Sequence, residues 1–121
     1  MPNVQNGSGG ILAQGFVGTS AAAFYGPVAG TNAQVEIRGL VFSNESASAT
    51  TVTYGVGKSG ATVGAAGTSA GKTVALGAAG ATTAIADATE LEQFVLGAGD
   101  YVWASAGAAT AVAATLSAIV Y

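Results

Sequence analysis

Asp87, Glu90 and Glu92 form the one acidic cluster in the chain, and carboxylates so spaced invite two kinds of chemistry. A hard cation such as calcium would take them as oxygen ligands, and a carboxylate pair can act as acid and base in glycoside hydrolysis. Calcium requires about six to eight oxygens in a defined loop, and here only Glu90 and Glu92 would share a strand face. A solvated strand edge is the competing reading. A sugar site would need an aromatic platform, and only Phe94 stands beside the cluster. Histidine and cysteine are both absent. That removes Ser-His-Asp and Cys-His nucleophiles together with the usual zinc and transition-metal sites. The expectation is a non-enzymatic chain with no catalytic, cofactor-binding or metal-binding residues.

Two glycine motifs invite a phosphate reading and fail on their surroundings. Gly55-Val56-Gly57-Lys58-Ser59-Gly60 fits G-x-G-x-x-G after an expected strand, but a dinucleotide site also needs a helix to begin there and an acidic residue about twenty positions on. Gly67-Thr68-Ser69-Ala70-Gly71-Lys72-Thr73 resembles a P-loop with one residue too few for the backbone amides to wrap a phosphate. Tyr25, Tyr101 and Trp103 could make an exposed binding patch, but in a thin core they are expected to be buried.

The core is thin because 28 of the 121 residues are alanine, so much of the apolar half of the chain carries little side chain to bury. One domain is expected at this length. Six acidic and three basic residues make nine charges, 7% of the chain and a net charge of −3, against about 25% charged residues in ordinary soluble domains. Such a surface suits contact with other protein, since charge normally keeps a free monomer in solution. Arg38, Lys58 and Lys72 are scattered, so nucleic acid is not an expected partner. The residues from Tyr101 to Tyr121 carry no charge, yet Val112, Ala114, Leu116, Ala118 and Val120 alternate with Thr115 and Ser117 as in a strand. No membrane partner is expected.

The elements that must position these residues are strands. Val35, Ile37, Gly39 and Val41 face one way and Glu36 and Arg38 the other. A turn rich in Ser43, Asn44, Glu45 and Ser46 leads into a strand with Val52 and Tyr54 on one face. Around this hairpin, strands are predicted over residues 11–17, at Phe24-Tyr25 before Pro27, and over 72–76, 82–85, 90–96, 101–105 and 111–121. A turn at Gly97-Ala98-Gly99-Asp100 precedes the strand that begins at Tyr101, and a long loop runs from Gly55 to Gly71. A helix between Ala75 and Leu91 is the rival, opposed by Gly77, Gly80, Thr82, Thr83, Ile85 and Thr89. The expected fold is an all-β, jelly-roll-like single β-sandwich over residues 15–121, behind a flexible N-terminal arm over residues 1–14.

A further pattern runs through Phe24-Tyr25-Gly26-Pro27-Val28-Ala29-Gly30, Val41-Phe42-Ser43-Asn44, Thr51-Val52-Thr53-Tyr54 and Leu96-Gly97-Ala98-Gly99-Asp100. This resembles the small β-sandwich decoration (capsid cement) proteins of tailed bacteriophages, over about residues 20–121. The resemblance implies a structural protein on the outer capsid surface of a virion, with the major capsid protein and copies of itself, as a homotrimer, for partners. It carries no catalytic residues. A short chain opening at Met1 fits a stand-alone decoration protein better than a piece of a fibre; the alternative is a tail- or fibre-associated module binding carbohydrate or a host surface.

Overall fold

A computed structural model of the chain describes residues 8–29, 34–64 and 71–121. It is all β: β1 (Ser8–Phe16), β2 (Ala22–Tyr25), β3 (Val35–Asn44), β4 (Thr50–Gly57), β5 (Gly71–Leu76), β6 (Ile85–Asp87), β7 (Val95–Leu96), β8 (Tyr101–Ala106) and β9 (Val112–Val120). Short 3-10 turns at Thr82–Ala84 and Thr89–Leu91 flank β6. The strands form two packed antiparallel sheets. One runs β1-β9-β3-β6, with β7 also on the far side of β3, and the other runs β2-β8-β4-β5.

The pairings follow a rolled-up hairpin. β1 bonds β9, β2 bonds β8, β3 bonds β6 and β7, and β4 bonds β5. Folding four such pairs over one another gives the jelly-roll architecture, in which partners far apart in sequence are neighbours in space. β6 and β7 together fill one edge position, β7 opposite Val35 and Glu36 and β6 opposite Val41 to Ser43.

Between the sheets lies a core of Val35, Ile37, Leu40 and Phe42 from β3, Val112, Ala114, Leu116 and Ala118 from β9, Val52 and Tyr54 from β4, and Val102, Ala104 and Ala106 from β8. The expected alternation along β3 holds at Val35 and Ile37 and then reverses. Ile37 pairs with Ala118 but Gly39 with Ser117, so Arg38 is an extra residue. A bulge of this kind shifts the side-chain parity downstream. Leu40, Phe42 and Asn44 therefore point inward, and Val41, expected inside, is on the outer face.

Two expected boundaries are corrected. Residues 8–14 of the expected arm belong to β1, because the ladder of β9 satisfies their backbone groups whatever their side chains; residues 1–7 lie outside the described chain. The expected strand over 90–96 is a 3-10 turn followed by two residues of β7. Gln93, with φ 69, turns its amide to the Ile37 carbonyl at 2.6 Å, and the Phe94 carbonyl accepts from Ile37 N–H at 2.8 Å. These bonds are made at the residue beside the β3 bulge.

Candidate functional site

The acidic residues do not converge. Asp87 ends β6, Glu92 is exposed beyond the 3-10 turn, and Glu90 is engaged elsewhere. No group of three His, Cys, Asp or Glu side chains able to hold a metal occurs among the described residues. Glu90 accepts a hydrogen bond from the Tyr54 hydroxyl on one oxygen and one from Lys72 Nζ, at 3.0 Å, on the other. Tyr54 is on β4 and Lys72 on β5, so the carboxylate ties the second sheet to the connection between β6 and β7.

The electrostatics follow from that geometry. The Tyr54 hydrogen bond, with the Lys72 ammonium beside it, lowers the Glu90 pKa; burial, helped by the carboxylate, raises that of Tyr54. A lowered carboxyl pKa stabilises the fold above its unfolded value and is lost as pH falls through the folded one; a raised phenol pKa stabilises below its unfolded value and is lost above it. The contribution of the pair should therefore be complete between 4.5 and 10.0, the ordinary values of the two groups. It should decline on either side. Urea unfolding across pH checks this, and Tyr54→Phe should remove the pair's share of the alkaline decline, leaving that of Tyr25 and Tyr121, whose phenols are also raised, and shrink the acid limb.

Asp100 and Asn44 serve turns. Asp100 accepts the amides of Ser59 and Gly97, each at 3.0 Å, and stands 3.7 Å from Lys58 Nζ. It thereby closes the turn predicted before β8 and pins the segment after β4. The Gly55–Gly60 motif holds no helix: β4 runs through Gly57, and a turn follows in which Ala61 N–H donates to the Lys58 carbonyl at 2.9 Å. Of the P-loop-like motif, residues 67–70 lie outside the described chain, and Gly71 begins β5.

Tyr101 and Trp103 are buried, on the outer face of the second sheet rather than in the core between the sheets. Register explains how. Trp103, Gly55 and Gly71 share one row across β8, β4 and β5, and Tyr101 and Gly57 share the next. The rings lie over glycines, where a side chain would block them: a Cβ on Gly71 would sit 2.5 Å from the Trp103 ring and one on Gly57 2.0 Å from Tyr101 Cζ. The segment after β4 covers the rings, and the Tyr101 hydroxyl donates to the Ala61 carbonyl at 2.8 Å. The glycine-rich stretch therefore roofs two aromatics. Gly57→Ala should lift the Tyr101 ring and cost about 1–3 kcal/mol, the usual penalty for overpacking. Thermal melting and the near-ultraviolet circular dichroism of the aromatics would register it.

Among the described residues the other sheet has no such roof. Its outward positions, read row by row from the ladders, carry Ile11 and Phe16 on β1, Ile119 on β9, Val41 on β3, Ile85 on β6 and Val95 on β7. Ile11 and Ile85 are each 61% exposed and Phe16 55%. Between them stand Ala113, Thr115, Ser117, Gly39 and Ser43, a flat lining of small side chains. Its charges are few. Glu36 and Arg38 pair with each other at 3.6 Å, the Tyr121 hydroxyl donates to Glu36 at 2.7 Å, and Asp87 stands at the edge. This face, with exposed apolar side chains on so small a protein, is the candidate interaction surface.

Comparison of the chain with protein-family models, with characterised proteins and with solved structures found no match. No helix among the described residues is long and apolar enough to cross a membrane.

Proposed function

We propose that this protein is a structural, non-enzymatic component of a tailed-bacteriophage virion, decorating the outer capsid surface by docking on the major capsid protein and associating with copies of itself. The observation that carries an assembly role is the bare face of the first sheet: Ile11, Phe16, Val41, Ile85 and Val95 stay exposed on a domain whose other outer sheet face has its aromatics roofed. The assignment to a phage head rests on the sequence resemblance. Of the aromatics that could have formed a sugar-binding patch, Tyr101 and Trp103 are buried and Tyr25 is half-buried, which weighs against the carbohydrate-binding alternative.

The test is to mix the purified protein with undecorated heads and to measure occupancy and resistance of the heads to heat. Saturable binding with a rise in head stability is expected; failure of the full chain to bind overturns the proposal. Removal of residues 1–14 would take most of β1 with it, so anchoring by the N-terminal segment is tested by removing residues 1–7. That deletion should lower occupancy while leaving the melting temperature of the free protein unchanged, and undiminished occupancy would free the segment of any anchoring role.

A further inference from the structure

We infer that the outer face of the β1-β9-β3-β6 sheet is covered by the same face of a second copy, giving a two-fold dimer stacked sheet on sheet. This rests on the reading of the chain as an assembly protein but not on the identity of the assembly.

Area, charge and pattern point to a copy of this chain as the occupant. Three strands of about nine residues, about 4.8 Å apart and rising about 3.3 Å per residue, with the short β6 and β7 along one edge, make a face of about 510 Å². Two such faces bury roughly 1,000 Å² in projection, the area at which a specific interface begins. A smaller patch would not hold a dimer. With Glu36 and Arg38 neutralising each other, Asp87 is the one unbalanced charge that the described residues place on the face, so like faces meet without the repulsion that a strongly charged surface brings against its own copy.

The large apolar side chains lie toward the two margins, Ile11 and Phe16 on β1 and Ile85 and Val95 on β6 and β7. A two-fold axis parallel to the strands and between β9 and β3 lays the β1 margin of each copy over the β6 and β7 margin of the other. Apolar side chains then meet at both borders, and the small side chains of β9 let the sheets approach to about 10 Å, as in the packing of sandwich sheets. A face of this kind is isologous and closes at two copies. The trimer implied by the resemblance would instead leave it bare or build on other surfaces.

The experiment is sedimentation equilibrium of the full chain over a wide concentration range, with Phe16→Glu, the double variant Phe16→Glu/Ile85→Glu, and Thr53→Lys on the opposite sheet as a control. Circular dichroism and melting confirm that each variant is folded. The wild type should form a concentration-dependent dimer, Phe16→Glu should weaken it at least about tenfold, and the double variant should be a monomer. Thr53→Lys should change nothing. A wild type that stays monomeric, a trimer, or a dimer indifferent to the double variant overturns the inference. Head binding is measured on the same samples to keep the two proposals apart. A monomer that binds heads through this face, losing occupancy in the double variant, assigns the face to the capsid protein and leaves the decoration proposal standing. A dimer that ignores heads does the reverse.

Discussion

Phe42→Ala is expected to lower the unfolding free energy by about 3–5 kcal/mol, the range for a buried phenylalanine cut to alanine. Phe42 is fully enclosed between the sheets, and its ring meets that of Tyr54 from the opposite sheet at a centroid distance of 5.0 Å and a tilt of 34°. Its cross-strand partners are Ala114 and Ala86. Alanine has no rotamer by which to move into a void, so the cavity should persist and the cost should fall high in the range. The urea midpoint should drop with the slope unchanged, and the melting temperature should fall by roughly 10–20 °C. Val41→Ala, one residue earlier on the outer face, should stay within about 0.5 kcal/mol of the wild type. The contrast tests the β3 bulge directly: without it, Val41 would be inside and Phe42 outside, and the two costs would exchange places.

That bulge marks where the sequence stops being legible. Alternation along 112–120 and the Gly97–Asp100 turn were readable because each is a local pattern, and the structure places β9 and the turn before β8 there. An inserted residue such as Arg38 leaves no local trace; it is visible only against the partner strand, where Ile37 and Gly39 meet adjacent residues of β9. The strand expected over residues 11–17 is the larger part of β1, and only its start was hidden, for a related reason. Ser8-Gly9-Gly10 reads as a flexible arm, and it is the β9 ladder alone that holds it extended. Glu90 to Leu96 reads as a strand by composition, yet the amides of Leu91, Glu92 and Phe94 bond back to Ala88, Thr89 and Leu91, and that of Gln93 turns to the Ile37 carbonyl.

The candidate interaction face was legible only in outline. The charge-poor composition pointed only to contact with other protein as an expectation, and Ile11, Phe16, Val41, Ile85 and Val95 are scattered over 85 positions of sequence and four strands. They become neighbours only when β9 inserts between β1 and β3 and β6 and β7 close the edge. The glycines under Tyr101 and Trp103 carried a signal of their own, since Gly55, Gly57 and Gly71 recur at alternate strand positions. Reading it required the register that sets them in rows with the rings.

Asn44→Leu should cost about 3–5 kcal/mol despite its similar branched shape, because each buried polar group left without a partner costs about 1–3 kcal/mol. Asn44 ends β3 and is buried. Its Nδ2 donates to the carbonyls of Ser48 at 2.9 Å and Gly77 at 2.8 Å, and its Oδ1 accepts the amide and the hydroxyl of Ser46 at 3.0 and 2.9 Å. Two donors and two acceptor positions are all that the side chain has, and all are used. The bonds to Ser46 and Ser48 make the β3–β4 turn that the residue types predict. The bond to Gly77 reaches 33 residues along the chain and ties that turn to the end of β5, where Ala79 N–H also donates to the Ser46 carbonyl at 2.8 Å. Leucine keeps the branched shape but is larger and bonds none of these groups. Loss of the tie should therefore loosen both connections at once, and hydrogen exchange should show Ser46 and Ala79 losing protection together while the amides of β9 fall only with global stability. If Asn44→Leu melts within a degree or two of the wild type, or if the Ala79 amide stays protected while that of Ser46 opens, the amide is not the joint between the two turns.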